Sequence, residues 1–541
     1  MYQSLVTVNE TQEFGTGSIQ YLPGLAANWT VSSDGTTYTF NMRQGVTFSS
    51  GNPLNAYQVW GEMYGFYYLT GNASSWLKGY NLFDMSKVDF GPSTIALMNS
   101  SGLITPTSQL LSIMQNSSWP IYVTSANQMV FRLISPFIYF PGVMLVYQGL
   151  IFDTQWLLQH GGFGTPTAFN SNFNQNPIPG TGPYVVSKVA EDDYVEFTQN
   201  PTYWGNSLSP AQISQQPLFD PGHAKNVIIY YKPDDLARYT DLSTGAVQIS
   251  AVLISNFNLV QANPTKYSYF TLPSWAGLTS ALGLNTQLYP TNITDVRLAI
   301  VHALNYTDIR SKAFLGQMNP YVGPEYPAWK DYYDLGNYSQ YSYNVTLAQQ
   351  YLKNANISTL PTFSMNIVAD CQFCSNFAQT VQSDLAQIGI TVTITVQDAS
   401  LFYTPYGSYS YELGNAGQIG NLVEFFGTWA SGALTPAADW VDFVSNQSQS
   451  GNTAIYYNPT VQAAVDAFTS TTNVSLIQSL VREAQTQIYN DAPYAWIGVS
   501  RLWYSDGSLV WQKNIIKSFL VDPTWSSQTT APIFNTVTFV S

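Results

Sequence analysis

Ala27-Asn28-Trp29-Thr30-Val31-Ser32-Ser33-Asp34-Gly35-Thr36-Thr37-Tyr38-Thr39-Phe40-Asn41-Met42-Arg43-Gln44-Gly45-Val46-Thr47-Phe48 is the stretch that decides how the rest of the chain is read. Asp34-Gly35 is a turn signal, because glycine accepts the positive φ of a tight hairpin turn. Beyond it Tyr38, Phe40 and Met42 alternate with Thr37, Thr39, Asn41 and Arg43, the period of two that marks a half-buried strand. Gln44-Gly45 turns the chain again into a short strand, Val46-Thr47-Phe48. Asn55 then has the right chemistry to cap a helix carrying Val59, Met63 and Phe66 on one side. A hairpin feeding a helix fixes local structure and leaves function open.

Further ordered landmarks narrow the reading. Gly180-Thr181-Gly182-Pro183-Tyr184 opens a run of strands; without a following Gly-Lys-Ser/Thr and helix start it is not a phosphate loop. Asn200-Pro201-Thr202-Tyr203-Trp204 follows, then a strand at Val227-Ile228-Ile229-Tyr230-Tyr231 and a helix through Arg238, Tyr239 and Leu242 ending at Gly245. Val296, Ile300 and Leu304 share one face of an amphipathic helix within 295–305. Residues 363–396 read strand, helix, strand, with Leu385 and Ile388 inward, and Ile477–Tyr489 reads as a helix.

The opening stretch resembles the string LA-x-x-W-x-x-S-x-DG-x-x-YTF-x-x-R-x-x-V-x-F-x-x-G of the extracellular solute-binding proteins of family 5. The later landmarks are similar, in order, to that family's GTGPY, N-x-x-YW and D-x-RVR helix segments, over more than nine tenths of the chain. Gln248 departs from the pattern, which has an acidic residue there. Met1-Tyr2-Gln3-Ser4-Leu5 resembles a segment that in the family follows a first strand and a loop. The resemblance therefore implies an exported N-terminal strand, and a membrane anchor, ahead of Met1.

Composition is compatible with that reading. At 541 residues the chain is long enough for two or three lobes. Only 9 % of residues are charged, well under the usual quarter, whereas 45 % are hydrophobic and 15 % aromatic, which supports cores rather than disorder. A net charge of −14 argues against nucleic acid or an anionic membrane surface as partner. Sparse charge with abundant neutral polar groups suits an extracellular, cell-surface setting, in particular an acidic habitat, where a carboxylate-rich surface would turn strongly cationic. Sequons at Asn9, Asn28, Asn72, Asn99, Asn116, Asn292, Asn305, Asn337, Asn344, Asn356, Asn446 and Asn473 point to N-linked glycans. No apolar run reaches membrane-spanning length; Phe137 to Phe152 is interrupted by Pro141, Gly142 and Gly149. Cys371-x-x-Cys374 reads first as a local disulfide, next as unpaired core thiols, and last as a redox catalyst. With His160, His223 and His302 scattered, no metal site or cofactor is expected.

The resemblance implies an α/β, bilobal, periplasmic-binding-protein-like fold with an extra domain inserted in the first lobe. Carried onto this chain, lobe I is 1–40, 178–275 and 500–541, the inserted domain 41–177 and lobe II 276–499. The lobes would close on a ligand by hinges near Trp275 and Ser500. It also implies an ABC importer permease as partner and no catalytic residues. Peptide-binding members carry W-x-x-DY in lobe II; here Trp429-Ala430-Ser431-Gly432 stands there, with Gly432 in place of the aspartate. Asp439-Trp440 supplies a substitute if the register is shifted. Loss of that charge-assisted contact favours a neutral oligosaccharide over an oligopeptide, with Trp429, Ser431, Gly432, Trp275, Asp439 and Trp440 as candidate ligand residues. Two other classes compete. A glycoside hydrolase using Glu412 and Glu424 lacks a catalytic motif, and a surface-layer structural protein fits the sequons but not the helices.

Overall fold

The computed structural model describes residues 1–8, 20–70, 82–89, 91–145, 149–271, 279–325, 327, 329–369, 371–398, 421–426, 436, 444, 452–502, 507–520 and 533–540. The opening hairpin forms as its pattern dictates. Strands β1 (Ala26–Val31) and β2 (Thr37–Met42) flank a turn in which Gly35 has φ +72° and Asp34 Oδ1 accepts from the Thr36 amide at 3.1 Å. Tyr38, Phe40 and Met42 are buried and the residues between them half-buried, so the period of two decides which face meets the core. Val46-Thr47-Phe48 makes only a single bridge, Thr47 to Pro53, rather than a strand. Asn55 caps helix α1 (Ala56–Thr70), its Oδ1 accepting from the Gln58 amide at 2.9 Å. With β3 (Ile121–Ser125) and β4 (Gln128–Arg132) the hairpin completes an antiparallel sheet of order β1-β2-β4-β3. A division at 40/41 would fall inside β2, which pairs with β4 from Thr37↔Arg132 to Asn41↔Gln128.

The glycine-rich turn serves the N-terminal segment. The Gly182 amide donates to the Met1 carbonyl at 2.8 Å, and a Cβ on Gly180 or Gly182 would lie 2.4 or 2.6 Å from that oxygen. Glycine is required there because backbone approaches backbone. Thr181 Oγ1 and Trp204 Nε1 both donate to Gln3 Oε1 at 3.0 Å, and the Arg43 guanidinium lies 4.5 Å from the Trp204 ring centre. The arginine of the opening stretch and the tryptophan of Asn200-Pro201-Thr202-Tyr203-Trp204 are thus one contact, a cation–π pair.

Two three-stranded sheets follow. One is β5 (Tyr184–Ala190), β6 (Tyr194–Gln199) and β7 (Asn226–Tyr230), antiparallel in sequence order. Helix α2 (Asp235–Thr244), which ends at Gly245 with φ +86°, leads into β8 (Ile249–Leu253) of the other. That sheet also holds β9 (Tyr267–Tyr269) and a late strand, Gly507–Gln512, paired between them.

The remaining unit is a six-stranded mixed sheet between two helical layers. Its elements are β10 (Thr279–Leu284), α3 (Thr294–Ala303), α4 (Tyr306–Phe314), β11 (Met318–Asn319), α5 (Val345–Asn354), β12 (Phe363–Val368), α6 (Gln372–Ala386), β13 (Val392–Gln397), β14 (Leu422–Phe426), α7 (Pro459–Phe468), α8 (Val474–Asp491) and β15 (Tyr494–Ser500). Strand order is β11-β15-β10-β14-β12-β13, with β12 parallel to both β13 and β14. β15 is buried along its whole length, because helices cover both faces. Val296, Ile300 and Leu304 pack on Leu282, Leu284, Ala495 and Ile497 in one core; Leu385 and Ile388 join it. The second core lies on the other face, where Trp496 and Tyr494 meet α7 and α8.

That second core is continuous with the core of the β1–β4 unit. The seam is aromatic: Tyr139 sits edge-on to Trp329 and Tyr332 with ring centres 5.4 and 6.2 Å away, and Phe468 packs on Tyr332 at 5.4 Å. The Tyr139 and Tyr332 hydroxyls bond each other at 2.5 Å, and Ser135 Oγ donates to the Thr469 carbonyl. No helix among the described residues is long and apolar enough to cross a membrane.

Candidate ligand-binding site

Trp275, Trp429, Ser431, Gly432, Asp439 and Trp440 lie outside the described residues, as do Glu412 and the sequons at Asn9, Asn72 and Asn446. The strands that flank the candidate ligand residues are described, and they converge. In the antiparallel pairing of β10 with β14, Phe426 faces Ser280, so β14 finishes where β10 begins. In the pairing of β10 with β15, Thr279 faces Val499, so Ser500 leaves from that same end. Being parallel to β14, strands β12 and β13 also finish there. One end of the sheet therefore gathers the carboxyl ends of four strands and the start of β10. In open α/β sheets this carboxyl end is where ligands bind, because the loops leaving it are free to vary while the strands hold them.

Side-chain hydrogen bonds and aromatic packing hold the sheet under this end. The Arg310 guanidinium donates to the Ile497 carbonyl at 3.0 Å and to Gln340 Oε1 at 2.8 Å; burial lowers its pKa. Gln340 Nε2 also donates to the Ile497 carbonyl at 3.0 Å. Trp496 packs 4.8 Å from Tyr494 and edge-on to Tyr321 at 5.5 Å, and a Cβ on Gly323 would come within 2.6 Å of the Trp496 ring. Thr279 Oγ1 and Ser280 Oγ are buried without a hydrogen-bond partner among the described residues. Sequence reading missed Arg310 and Gln340 as a pair, because they lie 30 residues apart in polar stretches that carry no motif.

The other placements are plain. Cys371 and Cys374 are disulfide-bonded, the first of the sequence alternatives. Of the described sequons, Asn28, Asn99, Asn292, Asn337, Asn344, Asn356 and Asn473 are exposed, and Asn116 and Asn305 half-buried. Asn305, Asn344 and Asn473 also cap helices through their side-chain oxygens. No group of three or more His, Cys, Asp or Glu that could hold a metal ion occurs among the described residues. A cavity of about 540 Å³ lies elsewhere, between the N-terminal segment and the β5–β7 sheet, walled by Val6, Val8, Phe197, Val227 and Ile229.

Comparison with known proteins identifies the fold and the family. The glutathione-binding protein GsiB of Pectobacterium atrosepticum is 26% identical over 484 residues, covering 88% of this chain and 80% of that protein. The structure of DppA from Helicobacter pylori with the peptide STSA superposes with a TM-score of 0.67 at 19% identity, covering 100% of this chain and 92% of that one. NikZ of Campylobacter jejuni, in complex with Ni(L-His), gives 0.67 at 18% identity, covering 95% and 89%. These are bilobal α/β binding proteins, and this chain shares their fold. The profile described as "Bacterial extracellular solute-binding proteins, family 5 Middle" matches residues 20–448, and the chain belongs to that family of ABC-importer ligand carriers, which bind rather than transform their solutes.

Proposed function

We propose that this protein captures an oligopeptide at the carboxyl end of the six-stranded sheet and delivers it to the membrane permease of an ABC importer. The observation that carries the reading is the convergence of β10, β14 and β15 on one sheet end, since their continuations hold Trp275, Trp429 and the second hinge. The relatives support a peptide: one is a glutathione-binding protein and another holds a tetrapeptide. The neutral oligosaccharide favoured from Gly432 receives no such support, so we read Asp439 as the displaced ammonium partner. We divide the chain as the family resemblance implies, with lobe I at 1–40, 178–275 and 500–541, an insert at 41–177 and lobe II at 276–499. We move the first boundary ahead of β1, because β1 and β2 belong to the β1–β4 sheet.

Calorimetry against tri- and tetrapeptides, N-acetylated peptides, maltodextrins and cello-oligosaccharides tests the reading. Peptides with a free amino terminus are expected to bind. Asp439→Asn should cost about tenfold or more in affinity, as loss of a charged hydrogen bond does. Trp429→Ala should cost roughly severalfold to tenfold by removing a packing surface. Binding of the oligosaccharides without the peptides would overturn the peptide assignment.

We read the protein as a glycosylated surface protein as well. Intact mass of native material is expected to exceed that of the bare polypeptide, with glycans among the seven exposed asparagines; a bare mass would refute this.

A further inference from the structure

We propose that the Cys371–Cys374 disulfide is a thiol–disulfide exchange site, opened by a small thiol that attacks the Cys371 sulfur. The proposal is independent of which ligand the protein carries.

Three separate features meet at this pair. The two sulfurs are bonded across a spacing of three residues. They differ in access: Cys371 is half-buried, whereas Cys374 is 3 % exposed and packed into the core beside Phe377 and Val381. Cys371 is also the N-cap of the fifteen-residue helix α6, its Sγ accepting from the Cys374 amide at 3.2 Å. A helix N-terminus presents unpaired amides and partial positive charge, which stabilises a thiolate at the cap relative to a thiol. The helix terminus therefore supports the Cys371 thiolate set free in the second displacement, whereas the first displacement releases Cys374, the third residue of the same helix, within its first turn.

The exchange balances as two displacements. The thiolate of a small thiol attacks Cys371 Sγ, forming a mixed disulfide and releasing Cys374 as a thiolate that takes up a proton. A second thiol then attacks the small molecule's sulfur in that mixed disulfide, releasing Cys371 as a thiolate and leaving the small thiol as its own disulfide. Two electrons pass from the two small thiols to the protein disulfide.

Opening the pair leaves the fold in place. A bond closing so short a loop restricts the unfolded chain little. Helix α6 is held independently, by Phe373, Phe377, Ala378, Val381 and Leu385 in the core. The position matters because α6 starts from the carboxyl end of β12, the same sheet end at which β14 and β15 finish. The exchange site thus lies at the sheet end where, on the function proposed above, the ligand binds.

The test treats folded protein with millimolar reduced glutathione or dithiothreitol, labels it with iodoacetamide and reads each cysteine by mass spectrometry. The disulfide is expected to open with the far-UV circular dichroism unchanged, and Cys371 to label about tenfold or more faster than Cys374. Cys374→Ser is expected to acquire one glutathione at Cys371 from oxidised glutathione, and Cys371→Ser to acquire none. A disulfide that opens only with unfolding, or equal labelling of the two cysteines, would overturn the proposal. If a variant does not fold, the labelling ratio in the parent protein decides alone.

Discussion

Phe40→Ala is expected to destabilise the β1–β4 unit by about 3–5 kcal/mol, the usual range for emptying a fully buried phenylalanine site. Phe40 has no exposed surface and packs on Phe131 at 5.6 Å, Trp29 at 5.9 Å and Phe140 at 6.4 Å between ring centres. These aromatics come from three separate stretches, so the cavity left behind cannot be closed by moving one of them. Such a loss is a large part of the roughly 5–15 kcal/mol that holds a typical domain folded. Thr39→Ala, one residue away on the half-buried face, is expected to stay within about 0.5 kcal/mol. Urea unfolding followed by tryptophan fluorescence separates the two. Equal small effects would mean that the hairpin is peripheral to the folding unit.

Glu62→Gln is expected to stabilise the protein at neutral pH and to do so less and less on acidification. Glu62 is 4 % exposed within α1, and burial raises its pKa well above the usual carboxylate range. Its Oε2 accepts from the Phe152 amide at 3.1 Å, a bond that glutamine keeps through its own carbonyl oxygen. The sign follows from proton counting. Above the ordinary glutamate pKa the unfolded chain releases this proton while the folded chain retains it. Stability is therefore complete in acid and declines as pH rises from the ordinary value toward the folded one. Burial pushes Asp384 and Asp334 in the same direction. The exposed Asp34 and Asp84 are lowered by hydrogen bonds from Ser32 and Ser86 and oppose it as pH falls. Replacing this carboxyl should contribute on the order of 1–3 kcal/mol at pH 7 and a few degrees in Tm, because the folded group holds a proton that the unfolded chain gives up. Melting curves of parent and variant at a series of pH values should converge in the carboxylate range. A difference that stays constant with pH would mean that Glu62 is not the group responsible.

Local pattern carried the elements well. The alternation at Tyr38, Phe40 and Met42, the cap at Asn55, the common core of Val296, Ile300 and Leu304 (the last just past the end of α3), and the strand–helix–strand of 363–396 all depend on residues a few positions apart, and all are seen. Val46-Thr47-Phe48 has the composition of a strand but no partner strand, and composition cannot supply one. The register that puts Phe426 against Ser280 and Thr279 against Val499 joins distant segments and left no mark in any single one. The candidate site was legible only through family resemblance. A tryptophan that stacks on a ligand and one that fills a core look alike in sequence, and Trp60 and Trp496 are core residues. Arg43 shows the same limit: its place in the opening stretch is plain, whereas its contact with Trp204 appears only when the two stretches fold together.

The aromatic seam of Tyr139, Trp329, Tyr332 and Phe468 has a thermal consequence. Any movement that parts the β1–β4 unit from α7 must hydrate these rings and separate the two bonded hydroxyls. Hydrating apolar surface raises heat capacity, so the parted arrangement has the larger heat capacity of the two. The hydrophobic force holding the seam weakens on cooling. Chilling therefore loosens this junction, and moderate warming grips it more firmly, up to the temperature at which chain entropy prevails.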